Sequence, residues 1–483
     1  MKEGYIKPED RKKILLLTDD IRVHSGVAQI GRELVINTSH HYNWCQMAGS
    51  VKHPDKGKVT DISKDINNES GNGDAYTRLY PVDAYGNPDI LREIIKIEQP
   101  DAILLITDPR YFEWVFNMEE ELRTSIPIAY LNIWDDMPAP QYNEEFYESC
   151  DALFGISKQT VAINKIVLGD KADNKVIKYV PHGLNADKFF PIDQEAKMSQ
   201  NSTDEYIEFK KNITRGIDKE FILLFNSRNI RRKSIPDALA AWKLFVDGLT
   251  EEEKKKVLFV LHTEMVSEHG TDLPSVIEYL MGEDDKTVVI SDQKLPTSHM
   301  NYLYNIADGV ILLSSAEGWG LALTESLLTG TPFIANVTGG MQDQMRFIDD
   351  SGNWYTNSKE IPSNHNGTFT EHGKWALPVY PKSLGMVGSP VTPYIWDSRC
   401  DFKDARDRIV ELYQMSSKER KERGNVGREW ALGDEAGFTA KKMAKTFTSG
   451  MEELFSTWKP RKSFVFLKDT DFKARTLKHK LEY

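Results

Sequence analysis

One stretch of the chain decides the fold: residues 314–325, which read SSAEGWGLALTE. The apolar run at residues 310–313 directly precedes it and is typical of a buried strand, and a helical pattern starts at Leu321. Gly318 and Gly320 permit a tight turn and a close approach of backbone to a ligand. The free N–H groups and the positive dipole end of the following helix suit an anion such as phosphate. The stretch therefore predicts a strand, a glycine turn and a helix at a binding crevice.

Two carboxylates flank this turn. Glu317 lies in the loop and Glu325 follows eight residues later on the helix. Carboxylates so placed can accept hydrogen bonds from sugar hydroxyls at two depths of one pocket. Either glutamate alone is explained as well by an ordinary strand–turn–helix connection with a solvated side chain. The whole arrangement favours a ligand that carries both phosphate and sugar.

Short apolar runs alternate with helical patterns over most of the chain. The predicted strands lie at residues 14–17, 102–106, 126–131, 152–155 and 176–180, then at 221–225, 257–262, 287–290, 310–313 and 332–335. Continuous apolar strands separated by helices form parallel sheets covered on both faces, so we predict the α/β class with two Rossmann-like, doubly wound domains. Such domains bind ligands at the carboxyl ends of their strands, and two of them facing one cleft can join two substrates.

Composition indicates where the domains end. Residues 191–219 are polar, and we interpret them as a domain boundary, although a long surface excursion within one domain gives the same pattern. We therefore predict a first domain at residues 1–200 and a second domain at 201–445. An insertion rich in aromatic residues, Gly, Pro and Asn interrupts the second domain at about 341–400, and a helical basic tail occupies 446–483.

A basic loop follows the first strand of the second domain. Residues 226–233 read NSRNIRRK, so Arg228 and Lys233 lie where a strand meets the crevice. Fixed cations there stabilise the negative charge that develops on a diphosphate leaving group, although a basic surface loop is the alternative. In the first domain, Gly26 begins a helix after a polar loop and can approach a phosphate or an acceptor in a similar way.

These segments together resemble retaining, nucleotide-sugar-dependent glycosyltransferases of the GT-B fold, similar to family 4, which carry an E-x7-E motif. Glu317 and Glu325 have that spacing. Three further segments resemble the family in order and spacing: VPHGL at 180–184, FNSRNIRRK at 225–233 and GTPFIA at 330–335. The resemblance covers roughly residues 10–340 and the closing helices.

The resemblance implies a role for each matching residue. Glu325 is implied to bind the ribose of the donor, and Glu317 the transferred sugar. Arg228 and Lys233 are implied to hold the diphosphate. The other implied donor-binding residues are Gly318, Gly320, Leu321, Gly26, His182 and Gly183. The resemblance also implies that the first domain binds the acceptor and the second domain the donor. The donor would be a UDP- or GDP-sugar and the enzyme a hexosyl- or pentosyltransferase that retains the anomeric configuration.

The sequence departs from the family near the reacting sugar. Many relatives have a histidine followed by an aspartate there, whereas this chain has Trp134 and then Asp135. Asp135 or Asp136 is a candidate for orienting the acceptor hydroxyl, with His24 and His182 as other polar candidates, and we count Asp135 among the catalytic candidates. Capping of the following loop explains both aspartates equally well.

Composition excludes several classes of protein. The 483 residues carry 61 Lys and Arg against 73 Asp and Glu, a net charge of −12, and only 3 Cys. No C-x-x-C pair exists, which excludes a zinc ribbon, and a few distant cysteines fit a reducing cytosol. No apolar run approaches the ~20 residues that span a bilayer, so we expect a cytoplasmic protein. We expect no cofactor and no required metal, because the pairs of adjacent aspartates lack further ligands.

The acceptor is less determined than the donor. The segments GGMQDQM at 339–345 and HGKWA at 372–376 are similar to glycosyltransferases of large tailed bacteriophages, which makes a hydroxymethylated base in phage DNA a candidate acceptor. Residues 458–483 hold eight Lys or Arg against three acids and can contact DNA, although a solvated terminal helix explains them equally well. Aromatic residues of the insertion can stack on sugars or bases, but a satellite core is the commoner arrangement; they include Trp354, Trp375 and Trp396.

Other functions are compatible with the same fold. The nearest alternatives are a nucleotide-sugar epimerase and a sugar phosphorylase, of which the latter needs a lysine Schiff base to pyridoxal phosphate. A non-catalytic sugar- or DNA-binding relative is the third. The complete set of two cations and two glutamates argues against it, because a degenerate relative is expected to lose part of that set.

Overall fold

The computed structural model describes residues 4–192, 199–355, 363–365 and 367–462. Eight described strands form the sheet of the first domain: β1 (Lys13–Asp19), β2 (Asn43–Ser50), β3 (Thr60–Asp61), β4 (Thr77–Asp83), β5 (Ala102–Ile106), β6 (Ile128–Asn132), β7 (Ala152–Gly155) and β8 (Val176–Tyr179). Their spatial order is β3-β4-β2-β1-β5-β6-β7-β8. Neighbours run parallel except β3, which is antiparallel to β4. The predicted parallel sheet is confirmed.

Helices cover both faces of this sheet, which explains its continuous apolar strands. All five residues of β5 are buried. The described helices of this domain are α1 (Gly26–Thr38), α2 (Ser63–Ser70), α3 (Pro88–Glu98), α4 (Glu113–Phe116), α5 (Glu119–Leu122), α6 (Glu144–Glu148) and α7 (Lys158–Leu168). The hydroxyl of Ser25 caps α1 by accepting from the Ala28 amide, which fixes the start of α1 at Gly26.

The second domain repeats the architecture. Its strands are β9 (Phe221–Asn226), β10 (Val257–His262), β11 (Val288–Ser291), β12 (Gly309–Leu312), β13 (Phe333–Asn336) and β14 (Ala376–Val379). They run parallel in the order β11-β10-β9-β12-β13-β14. This is the order of a dinucleotide-binding domain, and it reverses between β9 and β12. The first sheet reverses likewise between β1 and β5, so each domain has a crevice at the carboxyl ends of its central strands.

The remaining helices belong to the second domain, except the last, which packs on the first domain. They are α8 (Gln200–Ile213), α9 (Ile235–Asp247), α10 (Glu251–Lys256), α11 (Leu273–Met281), α12 (Thr297–Ile306), α13 (Leu321–Thr329), α14 (Met341–Met345), α15 (Phe402–Gln414), α16 (Ser417–Leu432) and α17 (Ala440–Thr457). No described helix is long and apolar enough to cross a membrane. Helix α8 lies in the polar stretch that we interpret as a boundary and packs on α12, where the rings of Tyr206 and Tyr302 are 5.5 Å apart.

The last described helix returns to the first domain. In α17 the ring of Phe447 stacks on Trp44 at 6.2 Å and meets Phe154 edge-on at 5.6 Å. The hydroxyl of Tyr42 also donates to Glu452 at 2.8 Å. Residues 446–457 of the predicted tail are therefore part of a packed helix. Residues 463–483, which carry most of its basic side chains, lie outside the described residues.

The chain passes between the domains at two neighbouring places in its described part. The first follows β8 and the second joins α16 to α17. The two connections pair through their backbones: Leu184 N donates to Phe438 O at 3.2 Å, and Ala440 N donates to Leu184 O at 2.8 Å. A Cβ on Gly183 would lie 2.3 Å from Thr439 O, so only glycine permits this close approach.

The insertion at 341–400 contains a two-stranded antiparallel hairpin, β15 (Pro381–Ser389) with β16 (Thr392–Cys400). The hairpin bridges the domains, because Trp396 N donates to Met137 O at 2.8 Å and Ser398 N to Ser315 O at 2.9 Å. Trp375 stacks on Trp430 at 4.9 Å and is buried, which agrees with a satellite core. Trp354 is buried beside the same ring at 5.4 Å.

Candidate active site in the interdomain cleft

A cleft of about 1290 Å³ lies between the carboxyl ends of the two sheets. The first domain lines it with residues at or after the ends of β1, β4, β5 and β6, namely Asp19, Tyr85, Thr107 and Asp135. The second domain lines it with residues at or after the ends of β9, β10, β11 and β12, including Arg228, His262, Asp292 and Glu317. Both crevices that the strand orders predict therefore open into one space.

The glycine turn before α13 brings backbone to the centre of this cleft. Gly320 has a φ of +86°, a left-handed conformation that favours glycine, and α13 begins at the next residue. Leu321 and Ala322, the first residues of α13, line the cleft, so the positive end of the helix faces it. A Cβ on Gly318 would lie 2.6 Å from Ile133 O, hence glycine permits the two domains to touch here.

Glu317 is buried and holds two cations. Lys233 Nζ contacts Glu317 Oε2, and Arg232 Nη1 donates to the same oxygen at 3.1 Å. Burial alone would raise the pKa of Glu317, but the charges of Arg232 and Lys233 outweigh it and lower the pKa to about 2. Burial lowers the pKa of Lys233, and Glu317 opposes that effect. Glu317 is therefore ionised and holds both cations at the N-terminus of α13.

Arg232 is a site residue that sequence reasoning missed. Its guanidinium donates to Ala316 O at 2.6 Å and lies 3.5 Å from Asp135 Oδ2, so it joins both domains. The sequence resemblance implies that its neighbours Arg228 and Lys233 hold the diphosphate. Arg232 could not be singled out from the sequence, because the direction of each side chain on this basic loop depends on the fold. Arg228 is exposed, lines the cleft, and forms no ion pair with any described residue.

Glu325 is buried on α13 among neutral partners. Tyr304 donates its hydroxyl to Glu325 Oε2 at 2.5 Å, and Asn226 donates its amide to the same oxygen at 3.2 Å. Burial raises the pKa of Glu325 to about 7, and the two hydrogen bonds only moderate this. Sequence analysis singles out neither Tyr304 nor Asn226, because their link to Glu325 spans 21 and 99 residues of chain.

The structure separates the two aspartates that the sequence left as alternatives. Asp135 lines the cleft beside Arg232. Asp136 is fully buried and accepts from Met137 N at 2.8 Å and Thr338 Oγ1 at 3.0 Å, so it holds the loop against the second domain. Neither contributes to a metal site: among the described residues no group of three or more His, Cys, Asp or Glu side chains could hold an ion.

The other predicted donor-binding residues divide in their placement. Gly26, His182 and Leu321 line the cleft, and a Cβ on Gly26 would lie 3.1 Å from Leu321 Cδ1 across it. Burial lowers the pKa of His182 to about 3, and its buried Nδ1 has no hydrogen-bond partner among the described residues. Gly183 does not line the cleft; it packs against Thr439 in the paired interdomain connections.

A second chamber of about 570 Å³ adjoins the cleft. The two spaces share Ile133, Asp135 and Arg232 as walls. Residues of the β15–β16 hairpin line one side of the chamber. Arg110 of the first domain contacts the tip of this hairpin by donating to Val391 O at 2.9 Å. The hairpin therefore forms part of the wall of a space that adjoins the cleft.

Comparison with known proteins finds similarity in structure alone. No protein-family model matches the chain, and no curated protein matches its sequence. HepE of Anabaena, solved in complex with UDP and glucose, has a TM-score of 0.62 at 12% identity, over 92% of this chain and 100% of that chain. Sucrose-phosphate synthase of Thermosynechococcus elongatus has a TM-score of 0.64 at 14% identity, with the same coverage.

A trehalose-phosphate synthase (UDP-forming) of Burkholderia vietnamiensis is also similar, with a TM-score of 0.60 at 10% identity over 92% of this chain and 99% of that chain. The similarity extends over both domains and the cleft between them. At such low identity it shows the fold and not the activity. Together with the two parallel sheets described above, it confirms that the chain has the GT-B fold.

Proposed function

We propose that the protein is a glycosyltransferase that moves a sugar from a UDP-sugar to a hydroxyl acceptor, with retention of configuration and without a metal ion. The observation that carries this proposal is the grouping of Glu317, Arg232 and Lys233 at the N-terminus of α13 in the interdomain cleft. Fixed cations and helix N–H groups in a largely buried site stabilise a departing diphosphate without reorganisation.

The ion pairs suggest how the donor enters. Glu317 forms ion pairs with Lys233 and Arg232, whereas Arg228 has no ion pair among the described residues. A donor diphosphate brings charges of the same sign as Glu317 and can take over the lysine and the arginine through charge-assisted hydrogen bonds. Glu317 is then released to accept hydrogen bonds from the hydroxyls of the transferred sugar. The same carboxylate holds the cations ready and afterwards positions the sugar.

Glu325 is suited to the ribose of the nucleotide. Tyr304 and Asn226 both donate to its Oε2, which leaves Oε1 for a ligand. A ribose diol supplies two hydroxyl donors, and an ionised carboxylate is the strongest acceptor for them. Asp135 lies beside Arg232 at the boundary between the two domains, and we assign it to the acceptor hydroxyl.

Two similar proteins support UDP in the donor. HepE was solved with UDP and glucose, and the Burkholderia enzyme is named as UDP-forming. Retention rests on the sequence resemblance. Independence from metal rests on the cations that already surround the proposed diphosphate site.

Modified DNA is the second acceptor class for testing. Its support is the similarity of residues 339–345 and 372–376 to bacteriophage glycosyltransferases, together with the basic tail, of which residues 463–483 lie outside the described residues. Arg461, a described residue of that tail, pairs with Glu119 of the first domain. No contact among the described residues supports DNA as the acceptor.

The decisive experiment is a titration of UDP, UDP-sugars and GDP-sugars by calorimetry, followed by assays of nucleotide release with and without acceptors and with a chelator. We expect UDP-sugars to bind and release of UDP to rise with acceptor. NMR of the product reports the anomeric configuration. Absence of binding and turnover with every nucleotide sugar would overturn the proposal, and a new absorbance with pyridoxal phosphate would favour a phosphorylase.

Two variants separate the roles of the glutamates. Glu325→Ala should weaken UDP binding by about 10- to 100-fold, because a charge-assisted hydrogen bond is lost. Glu317→Ala should bind UDP at least as well, since no carboxylate then competes for the cations, but should transfer sugar far more slowly. Glu252→Ala, at an exposed position on α10, is the control and should change neither quantity. Equal loss of UDP binding in both variants would contradict this division.

A further inference from the structure

The first domain carries a polar crevice of its own in the cleft, at the point where its strand order reverses. The last residue of β1 is Asp19, the loop after β1 supplies Ser25, and the segment after β5 supplies Thr107 and Tyr111. Tyr85, just after β4, completes this crevice. Ligands of doubly wound domains bind at such reversals, and the donor site proposed above occupies the reversal of the other domain.

The polar groups of this crevice form a preset network around one carboxylate. Tyr85 donates its hydroxyl to Asp19 Oδ1 at 2.6 Å, and Ser25 donates its hydroxyl to Asp19 Oδ2 at 2.5 Å. Thr107 lines the same crevice, and its φ of +143° is a strained conformation for a β-branched residue. Strain of this kind persists where the surrounding structure holds it and is found mainly at functional sites.

Charge in this half of the cleft is unfavourable for an anion. No described residue forms an ion pair with Asp19. The nearby cations are already paired with carboxylates: Arg22 contacts Asp20 at 2.6 Å, and Arg32 and Lys188 both contact Glu69. A phosphate entering here would be repelled by the carboxylate of Asp19, which no described cation pairs with.

An aromatic face completes the crevice. Tyr111 lines the cleft with 59% of its surface exposed, and its ring lies 5.2 Å from that of Tyr85. An exposed tyrosine at the wall of a cleft offers a rigid apolar face on which the C–H groups of a sugar ring can stack. The adjoining hydroxyls and carboxylate can meet the polar edge of the same ring.

We propose that the acceptor is an uncharged carbohydrate that stacks on Tyr111 and donates a hydroxyl hydrogen bond to Asp19. This inference rests on the proposed function, whose acceptor it specifies. In the transfer, the acceptor oxygen forms the new bond to the anomeric carbon of the donor. The bond from that carbon to the diphosphate breaks and its electron pair leaves with the diphosphate, which also takes up the hydroxyl proton.

The first test compares acceptors at equal concentration with the full chain and its best UDP-sugar. The probes are glucose and maltose, glucose 6-phosphate, and DNA containing hydroxymethylcytosine. We expect UDP release and product formation with an uncharged sugar and at least 10-fold less with the phosphorylated sugar or DNA. Preference for either charged acceptor would overturn the inference and leave the proposed function intact, whereas no UDP release from any donor would overturn both.

The second test uses variants of the crevice. Tyr111→Ala should raise the KM for the sugar acceptor by about 10-fold with a smaller effect on kcat, because an aromatic stacking face is lost. Tyr111→Phe keeps the ring and should restore the KM. Tyr279→Ala, which removes an 88% exposed tyrosine on α11, is the control and should behave as the parent protein. The Kd for UDP reports whether each variant is folded.

A variant of Asp19 tests independently whether its charge makes the protein prefer an uncharged acceptor to a phosphorylated one. Asp19→Asn keeps the size of the side chain and removes its charge. We expect the ratio of kcat/KM for glucose to that for glucose 6-phosphate to fall by at least 5-fold in this variant. An unchanged ratio, or an unchanged KM in Tyr111→Ala, would show that the acceptor does not bind in this crevice.

Discussion

At the residue scale, two buried glutamates of the cleft differ in protonation because their neighbours differ. Glu317 faces Arg232 and Lys233, which bring its pKa down to about 2 in spite of burial. Glu325 faces a phenol and an amide, so burial dominates and its pKa rises to about 7. Of these two, Glu325 therefore changes charge near neutral pH.

This difference predicts how donor affinity depends on pH. Below pH 7 Glu325 is mostly protonated and is a weak acceptor for ribose hydroxyls, and above pH 7 it is ionised. Affinity for UDP should therefore rise about 5- to 10-fold between pH 6 and pH 8, as the ionised fraction grows. Calorimetry over this range measures it. Glu325→Gln is the control, because it retains any contribution from the ligand's own ionisation; an equal rise in that variant would contradict the assignment.

Residue types and spacing in the sequence were enough to bring Glu317, Glu325, Arg228 and Lys233 to one cleft. They were insufficient for Tyr304 and Asn226, whose importance arises from contacts across distant strands and helices. The same holds for Asp19, which the sequence shows only as one member of a pair of aspartates.

At the element scale, the α/β alternation predicted the two sheets, because helix-covered parallel strands have continuous apolar runs. The hairpin of β15 and β16 could not be predicted in this way. All but the first residue of β15 is exposed, so the strand lacks the apolar pattern that marks a buried one. Its position depends on contacts with the first domain, such as that of Trp396 with Met137.

Helix α17 allows a test of how far the domains depend on each other. Phe447 is fully buried against Trp44 and Phe154, and Phe447→Ala should lower the free energy of unfolding of the first domain by about 3–5 kcal/mol. Urea denaturation followed by tryptophan fluorescence measures the change. Phe455→Ala, on the same helix at a half-buried position, should have a smaller effect. A change below about 1 kcal/mol would show that α17 contributes little to the stability of the first domain.

At the scale of the whole molecule, the cleft depends on direct contact between the domains. The backbone of Gly318 lies against Ile133 O, where a Cβ would be 2.6 Å away. Gly318→Ala should keep the domains apart and lower kcat for transfer by at least about 10-fold, because small misplacements of reacting groups are costly. Small-angle scattering with UDP should show a larger radius of gyration than for the parent protein.

The control for that variant is Gly73→Ala, where no atom of the described part of the chain lies within 4 Å of the added Cβ. It introduces the same chemical change at an open position and should leave both transfer and molecular size unchanged. If Gly318→Ala transfers sugar as fast as the control, contact at this point is not needed for the reaction.

The paired connections at Leu184 and Ala440 limit how the two domains can move. A single covalent connection would allow the two domains to twist relative to each other as well as to open the cleft. Two connections that lie side by side and are hydrogen-bonded to each other restrict the domains to a hinge rotation about a single axis. We expect the domains to open and close about that axis, so that each closure returns Arg232 to Asp135 in the same alignment.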